Sequence, residues 1–265
     1  MAAMNRVFWS RWLPWIFALV HVALALLLAG RWLEVTRIKE AYLLSIPCAQ
    51  LSLIAIWSAA ARVPAWLRLP VLLLGTVAIS FVFLRANHSY GADTSAGWTV
   101  ALATQALLVA IAVTLGRLWR LVFAKRGPGT DDANALRYSL RMLLLWTTAL
   151  AVLLGLGREL LARVGWTDEV LKWNYFLFMP VLGGANALYA VFVWATLLRR
   201  DCWPLRMLLG LLFVGLTGAS MSFLLQILFN DDGGLSWPIT LTWALGQAGI
   251  LYATLLPLGA AAARR

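Results

Sequence analysis

Residues 204–229 read PLRMLLGLLFVGLTGASMSFLLQILF, and this stretch decides the fold class. After Arg206 it contains no charged side chain, and it is longer than the roughly 20 apolar residues that a helix needs to cross a bilayer. Its apolar residues do not alternate with polar ones, as they would in a strand of a membrane barrel. The stretch therefore predicts a transmembrane helix.

Seven further apolar runs lie along the chain. The eight predicted spans are 12–30, 41–61, 66–84, 98–118, 138–157, 171–198, 204–229 and 237–261. Because the third run is the shortest, seven spans is the alternative count. The chain is 62% apolar and 12% charged, with a mean hydropathy of +0.82, so these spans leave no apolar remainder for a soluble domain. We predict an all-α integral membrane protein with about eight transmembrane helices.

Basic residues divide unevenly between the two sides of an eight-span chain. Fifteen of the 22 Lys and Arg residues fall on the side of the termini, which has a net charge of +12, against −1 for the opposite side. Since Lys and Arg are retained in the cytoplasm, both termini are predicted to be cytoplasmic. The positive charge is spread over every loop on that side, which argues against nucleic acid and favours anionic lipid headgroups as partners.

One cytoplasmic linker, residues 127–137, divides the chain into two membrane halves of four predicted helices each, 1–126 and 138–265. The halves show faint matches in the same order. Gly30-Arg31 resembles Gly157-Arg158, and the segment from Tyr42 to Pro47 resembles that from Tyr175 to Pro180. Two blocks of equal topology predict a tandem parallel repeat.

Acidic side chains are absent from the predicted spans, and the few His and Cys residues of the chain are widely separated. No Asp or Glu lies within an apolar run, which disfavours a proton-coupled pump and excludes two-carboxylate catalysis in the bilayer. His21 lies in the first span and His88 in an outer loop, so they cannot share a haem or metal. Cys48 and Cys202 are separated by about 20 Å along the membrane normal, which is too far for a disulfide. We predict no catalytic, metal or cofactor site.

Uncharged polar side chains inside the spans are the remaining functional candidates. These are His21, Gln50, Gln105, Asn186, Gln226 and Gln247. They either line a hydrated path for a small solute or hydrogen-bond one helix to another, and interhelical bonding is the commoner use. If they line a path, Gln105, Asn186 and Gln247 should converge on one cavity. If they bond helices together, they should pair off and stay dry.

Small residues at helical spacing predict close helix contacts. Gly183 and Gly184 form one such site, and Gly215, Gly218, Ala219 and Ser222 form another. Trp243 lies deeper in its span than the indoles at span ends, so we expect it to pack between helices.

Residues 137–144 read Arg-Tyr-Ser-Leu-Arg-Met-Leu-Leu and continue into the fifth span through Trp146-Thr147-Thr148. This resembles an Arg-Phe-Ser-Leu-Arg-x-Leu-Leu box that opens membrane helices in uncharacterised planctomycete-type bacterial multi-pass membrane proteins. The resemblance covers about 25 residues, and Tyr138 stands where Phe is more usual. It implies a bacterial inner-membrane protein and no particular activity.

Three functions follow from these observations. The leading hypothesis is a non-enzymatic membrane component, namely a structural or sensing module or a subunit that binds another membrane protein or a second copy of itself. The alternative is a facilitator or transporter of a small solute, with a polar cavity at mid-membrane between the two halves. An intramembrane enzyme comes third, because it would need His21 and Cys48 to meet around a water-accessible cavity.

Overall fold

The computed structural model describes residues 16–27, 37–60, 64–86, 92–123, 173–197, 203–229 and 236–262. Seven helices occupy almost all of these ranges. They are α1 (Ile16–Leu27), α2 (Arg37–Ala60), α3 (Ala65–Ala86), α4 (Ala92–Phe123), α5 (Trp173–Leu197), α6 (Trp203–Phe229) and α7 (Trp237–Ala262). The predicted all-helical class is confirmed. The fifth predicted span, 138–157, lies outside the described residues, so the count of eight stays a prediction.

Five of the helices are long and apolar enough to cross a membrane. The apolar windows are Trp66–Phe83, Gly97–Trp119, Met179–Leu197, Trp203–Leu224 and Trp237–Leu258, in α3 to α7. The window in α3 corresponds to the third predicted span. The described apolar segments of α1 and α2 are shorter, Ile16–Leu27 and Leu44–Ala60.

Helix ends lie within two residues of the predicted span ends for α3, α5, α6 and α7, whereas α2 and α4 extend further. Helix α7 begins at Trp237, as predicted, and the Ser236 carbonyl accepts a hydrogen bond from the Ile239 amide at 2.9 Å. Helix α4, however, begins at Ala92, six residues before the predicted start at 98. An apolar run marks only the part of a helix that lies in hydrocarbon, whereas backbone hydrogen bonding continues beyond it.

Large apolar side chains are exposed along three of the helices. On these three helices the most exposed are Leu19 and Leu26 on α1, Trp66, Leu74, Val77 and Phe81 on α3, and Leu216, Phe223 and Ile227 on α6. In water, apolar surface of this extent is typical only of interaction sites. Lipid tails solvate it without penalty, so these faces fit a membrane environment.

The described residues form two compact units. The first unit contains α1, α2 as far as Gln50, α3 from Ile79, α5 from Phe192, and all of α6 and α7. The second unit contains α2 from Leu51, α3 as far as Ala78, α4, and α5 as far as Val191. The two sequence halves and their repeat stay predictions, because the linker and the fifth span lie outside the described residues.

Close packing of α6 against α7 holds the first unit together. Gly218 is buried, and a Cβ atom added to it would lie 2.6 Å from the Ala244 Cβ and 3.3 Å from the Thr240 carbonyl oxygen. Helices approach this closely only where one of them lacks a side chain. At Gly215 an added Cβ would make ordinary contacts of 3.7–3.8 Å with Leu241 and Leu245. Of the two glycines on the predicted small-residue face, Gly218 therefore makes the closer contact with α7.

We expect Gly218→Ala to lower the free energy of unfolding by about 2 kcal/mol, because the new methyl group overlaps that of Ala244. The measurement is unfolding of the purified protein in detergent micelles. Adding Ala244→Gly removes the overlap, so the double-mutant cycle should give a favourable coupling of about 1 kcal/mol or more. Additive losses would mean that the α6–α7 contact is not made at these two residues.

Candidate functional site

A polar network in the first unit starts at His21 of α1. The His21 Nε2 atom lies 3.1 Å from the Thr254 hydroxyl of α7, and that hydroxyl lies 2.8 Å from the Ile250 carbonyl oxygen. The single hydroxyl hydrogen of Thr254 is donated to the carbonyl, so the hydroxyl oxygen can only accept from His21. With the Thr254 hydrogen on that carbonyl, His21 donates from Nε2, and its Nδ1 atom is then a hydrogen-bond acceptor.

Gln50 of α2 joins the same network. Its Nε2 atom donates to the His21 backbone carbonyl at 2.8 Å. This bond fixes the orientation of the amide, since the opposite orientation would set two carbonyl oxygens against each other. Two acceptors in the network, the Gln50 Oε1 atom and the His21 Nδ1 atom, are buried and make no hydrogen bond within the described residues.

Other candidates lie on the α7 face that carries Thr254. Trp243 and Gln247 precede Thr254 at helical spacing, and both are buried. The Cys48 thiol of α2 lies against the Trp243 side chain and is also buried. The prediction that Trp243 packs between helices is confirmed. His21 and Cys48 thus have different bonding partners.

A second interhelical bond in the first unit joins α5 to α7. The Thr196 hydroxyl donates to the Val193 carbonyl at 2.7 Å and lies 2.8 Å from the Tyr252 hydroxyl, so Tyr252 donates to Thr196. Gly210 of α6 makes room for this pair, because a Cβ atom there would overlap the Tyr252 hydroxyl. The bond connects two helices that both carry apolar windows.

The second unit contains Gln105 and Asn186, both buried. The Gln105 Nε2 atom of α4 donates to the Ser52 hydroxyl of α2 at 2.7 Å, and both residues are 0% exposed. Asn186 of α5 is also engaged in an interaction. The polar contact of Gln105 is therefore a fully buried hydrogen bond between two helices.

Two arginines in the second unit bind the carboxyl end of α2. The Arg117 guanidinium donates to the Ala59 carbonyl at 2.6 Å and to the Ala60 carbonyl at 3.3 Å. The Arg68 guanidinium, whose residue is only 2% exposed, donates to the Ser58 carbonyl at 3.4 Å. The last carbonyls of a helix lack intrahelical donors and carry partial negative charge, which these cations neutralise.

The six predicted residues thus fall into separate groups. His21 and Gln50 share one network, and Gln247 lies in the same unit. Gln105 and Asn186 lie in the second unit. Gln226 lies in α6, with its side chain outside the described part. Convergence of Gln105, Asn186 and Gln247 on one cavity stays a prediction.

Sequence reasoning missed Thr254 and Ser52, the partners of His21 and Gln105. Thr254 lies two helical turns after Gln247, and that spacing places both on one face of α7. Applying the same test from each polar candidate would have found Thr254. Nothing in the sequence separates Ser52 from the other serines, because its role depends on α4 approaching α2.

The polar side chains around His21 and on the α7 face are uncharged, so their chemistry is that of neutral hydrogen bonding. Across the described ranges, no group of three His, Cys, Asp or Glu residues is placed to hold a metal ion. The side chains of the network are an imidazole, an amide and a hydroxyl, and a second amide, a thiol and an indole are buried in the same unit. They can orient helices and bind polar groups.

Comparisons with protein-family models, with curated proteins and with solved structures find no match for this chain.

Proposed function

We propose that this protein is a non-enzymatic component of a bacterial inner membrane, whose interior polar residues hold its helices together. The observation that carries the proposal is the bond between Gln105 and Ser52, two fully buried residues on different helices. A side chain lining a hydrated path would be expected to keep some exposure to that path. Gln105 instead donates its amide to a neighbouring helix.

Further interactions of the same kind support this proposal. Tyr252 bonds Thr196, and His21 bonds Thr254, in each case between helices. Asn186 and Gln247 are buried, and each is engaged with a partner. Inside a bilayer, such bonds stabilise helix association because no water is present to compete for the polar groups.

The proposed location places both termini in the cytoplasm, on the side that has a net charge of +12. Loops of that charge attract anionic lipid headgroups. The exposed apolar faces of α1, α3 and α6 meet lipid, a second copy of this chain or another membrane protein. The resemblance of residues 137–144 to the planctomycete-type box favours a bacterial source.

Thiol labelling in intact membranes tests the proposal. The background carries Cys48→Ala and Cys202→Ala, and single cysteines replace Gln105, Asn186 and Gln247 in turn. Cysteines at Asp231 and Lys125 are the outer and inner controls. We expect a polar maleimide to label only the controls, since the three interior positions are dry.

Rapid labelling at the three interior positions would overturn the proposal and favour the facilitator, and transport assays would follow. The same controls test orientation. A membrane-impermeant reagent added to intact cells should label the cysteine at position 231, whereas the one at 125 should react only after the membrane is opened. The reverse order would place the termini outside.

A further inference from the structure

Two buried acceptors belong to residues that bond each other, and the interhelical bonds leave both of them unsatisfied. The His21 Nδ1 atom and the Gln50 Oε1 atom make no hydrogen bond within the described residues, although both are buried from solvent. Gln50 is only 4% exposed. An unsatisfied buried acceptor destabilises a structure by about 1–3 kcal/mol, and two lie in this one network.

We propose that His21 and Gln50 form a binding site for one small neutral hydrogen-bond donor, between α1 and α2. The two acceptors belong to the two residues that the Gln50–His21 hydrogen bond joins. Oε1 shares a carbon atom with the Nε2 that binds the His21 carbonyl, and Nδ1 belongs to His21 itself. In the proposed site, a molecule with two N–H or O–H groups donates one hydrogen bond to each acceptor. This site does not depend on the proposed function.

The hydrogen-bond pattern excludes occupants of other chemistry. With Nε2–H bound to Thr254 and the Gln50 amide bound to a carbonyl, both remaining atoms offer lone pairs and no hydrogen. An anion or a pure acceptor would be repelled by them. No Asp or Glu lies in the predicted spans to balance a cation, and an unbalanced charge at this depth is unfavourable. The class that remains is neutral donors, of which water is the smallest and primary amides are larger members.

The nitrogen NMR signals of His21 test the site directly. The chain has only two histidines, so a His88→Gln variant labelled with ¹⁵N-histidine reports on His21 alone. In lipid nanodiscs we expect a protonated Nε2 and an unprotonated Nδ1 whose resonance is shifted by an accepted hydrogen bond. Gln50→Leu removes half of the site, so it should move the Nδ1 resonance toward that of a bare nitrogen and leave Nε2 unchanged.

Matched variants and solutes identify the occupant. Gln105→Leu removes a buried amide elsewhere and should leave both His21 resonances in place. Gln50→Asn retains an amide, so it replaces Gln50→Leu as the test variant if the leucine variant does not fold. It should shift the Nδ1 resonance less than Gln50→Leu does. A cross-peak between water protons and Nδ1 identifies water. A shift with formamide and none with N,N-dimethylformamide, which lacks N–H groups, identifies an amide.

Two results would overturn the inference. One is an Nδ1 resonance typical of a nitrogen that accepts no hydrogen bond, if none of the variants or solutes moves that resonance. The other is a proton found on Nδ1, since His21 would then be a donor at that atom and would not form an acceptor pair with Gln50. Both results are independent of labelling at Gln105, Asn186 and Gln247, so this inference and the proposed function can fail separately.

Discussion

Replacing Gly183 by alanine is expected to lower the free energy of unfolding by about 3 kcal/mol. A Cβ atom at Gly183 of α5 would overlap the Ala101 carbonyl oxygen of α4 and lie 3.1 Å from the Thr104 Cβ. The overlap is with backbone, which cannot rotate away as a side chain can. Relief therefore requires the two helices to separate. Unfolding in detergent micelles measures the loss.

The next residue provides a matched control. An added Cβ at Gly184 would meet only Leu108, at 3.8 Å, which is ordinary van der Waals contact. Gly184→Ala should therefore be neutral or stabilising by up to about 1 kcal/mol, because alanine favours the helix over glycine. Equal losses for Gly183→Ala and Gly184→Ala would show that α4 and α5 do not meet as described.

Truncation of Arg68 is expected to have the second large effect, a loss of about 3 kcal/mol for Arg68→Ala. The side chain is among the largest that the structure buries, and it binds the Ser58 carbonyl at the end of α2. Alanine removes both the packed methylene stem and the donor, leaving a buried carbonyl without that bond. Arg68→Met keeps most of the stem, so it should lose only about 1 kcal/mol.

Arg85 of the same helix is the control for Arg68. It is exposed at the other end of α3, so Arg85→Ala should change the free energy of unfolding by no more than about 0.5 kcal/mol. An increase in the free energy of unfolding for Arg68→Met, instead of the expected loss, would also be informative. A methionine variant more stable than the parent would mean that the desolvation of the buried guanidinium outweighs its bond to α2.

The two arginines illustrate how charge pattern and structure contribute different information. The charge pattern predicts that Arg68 and Arg117 lie on the cytoplasmic side among fifteen basic residues, with nothing to distinguish them from the others. The structure brings both to the end of α2, where they bind carbonyls of three successive residues, Ser58, Ala59 and Ala60. Their contacts depend on where α3 begins and α4 ends relative to α2, which hydropathy does not encode.

The polar candidates show the same division. Residue type and depth were enough to select His21, Gln50, Gln105 and Gln247, because a polar side chain in an apolar run must find a partner or a ligand. Whether such a side chain finds a partner in the protein or binds a ligand depends on the neighbouring helix. Gln105 meets the Ser52 hydroxyl, whereas Gln50 bonds the His21 backbone carbonyl.

Composition and apolar run length by themselves determined the helical class and most helix positions, including 203–229 and 237–262, which lie within one residue of the predicted spans. The reason is local, because a backbone in lipid must satisfy its own hydrogen bonds, and only a helix does so within one segment. The tertiary structure decided the rest: that Gly183 and Gly218 are contact points while Gly184 is not, and that Thr254 and Ser52 are partners. These contacts and partners depend on which helix faces meet. Because almost every helix face in this chain is apolar, the shapes of the packed surfaces select the neighbours.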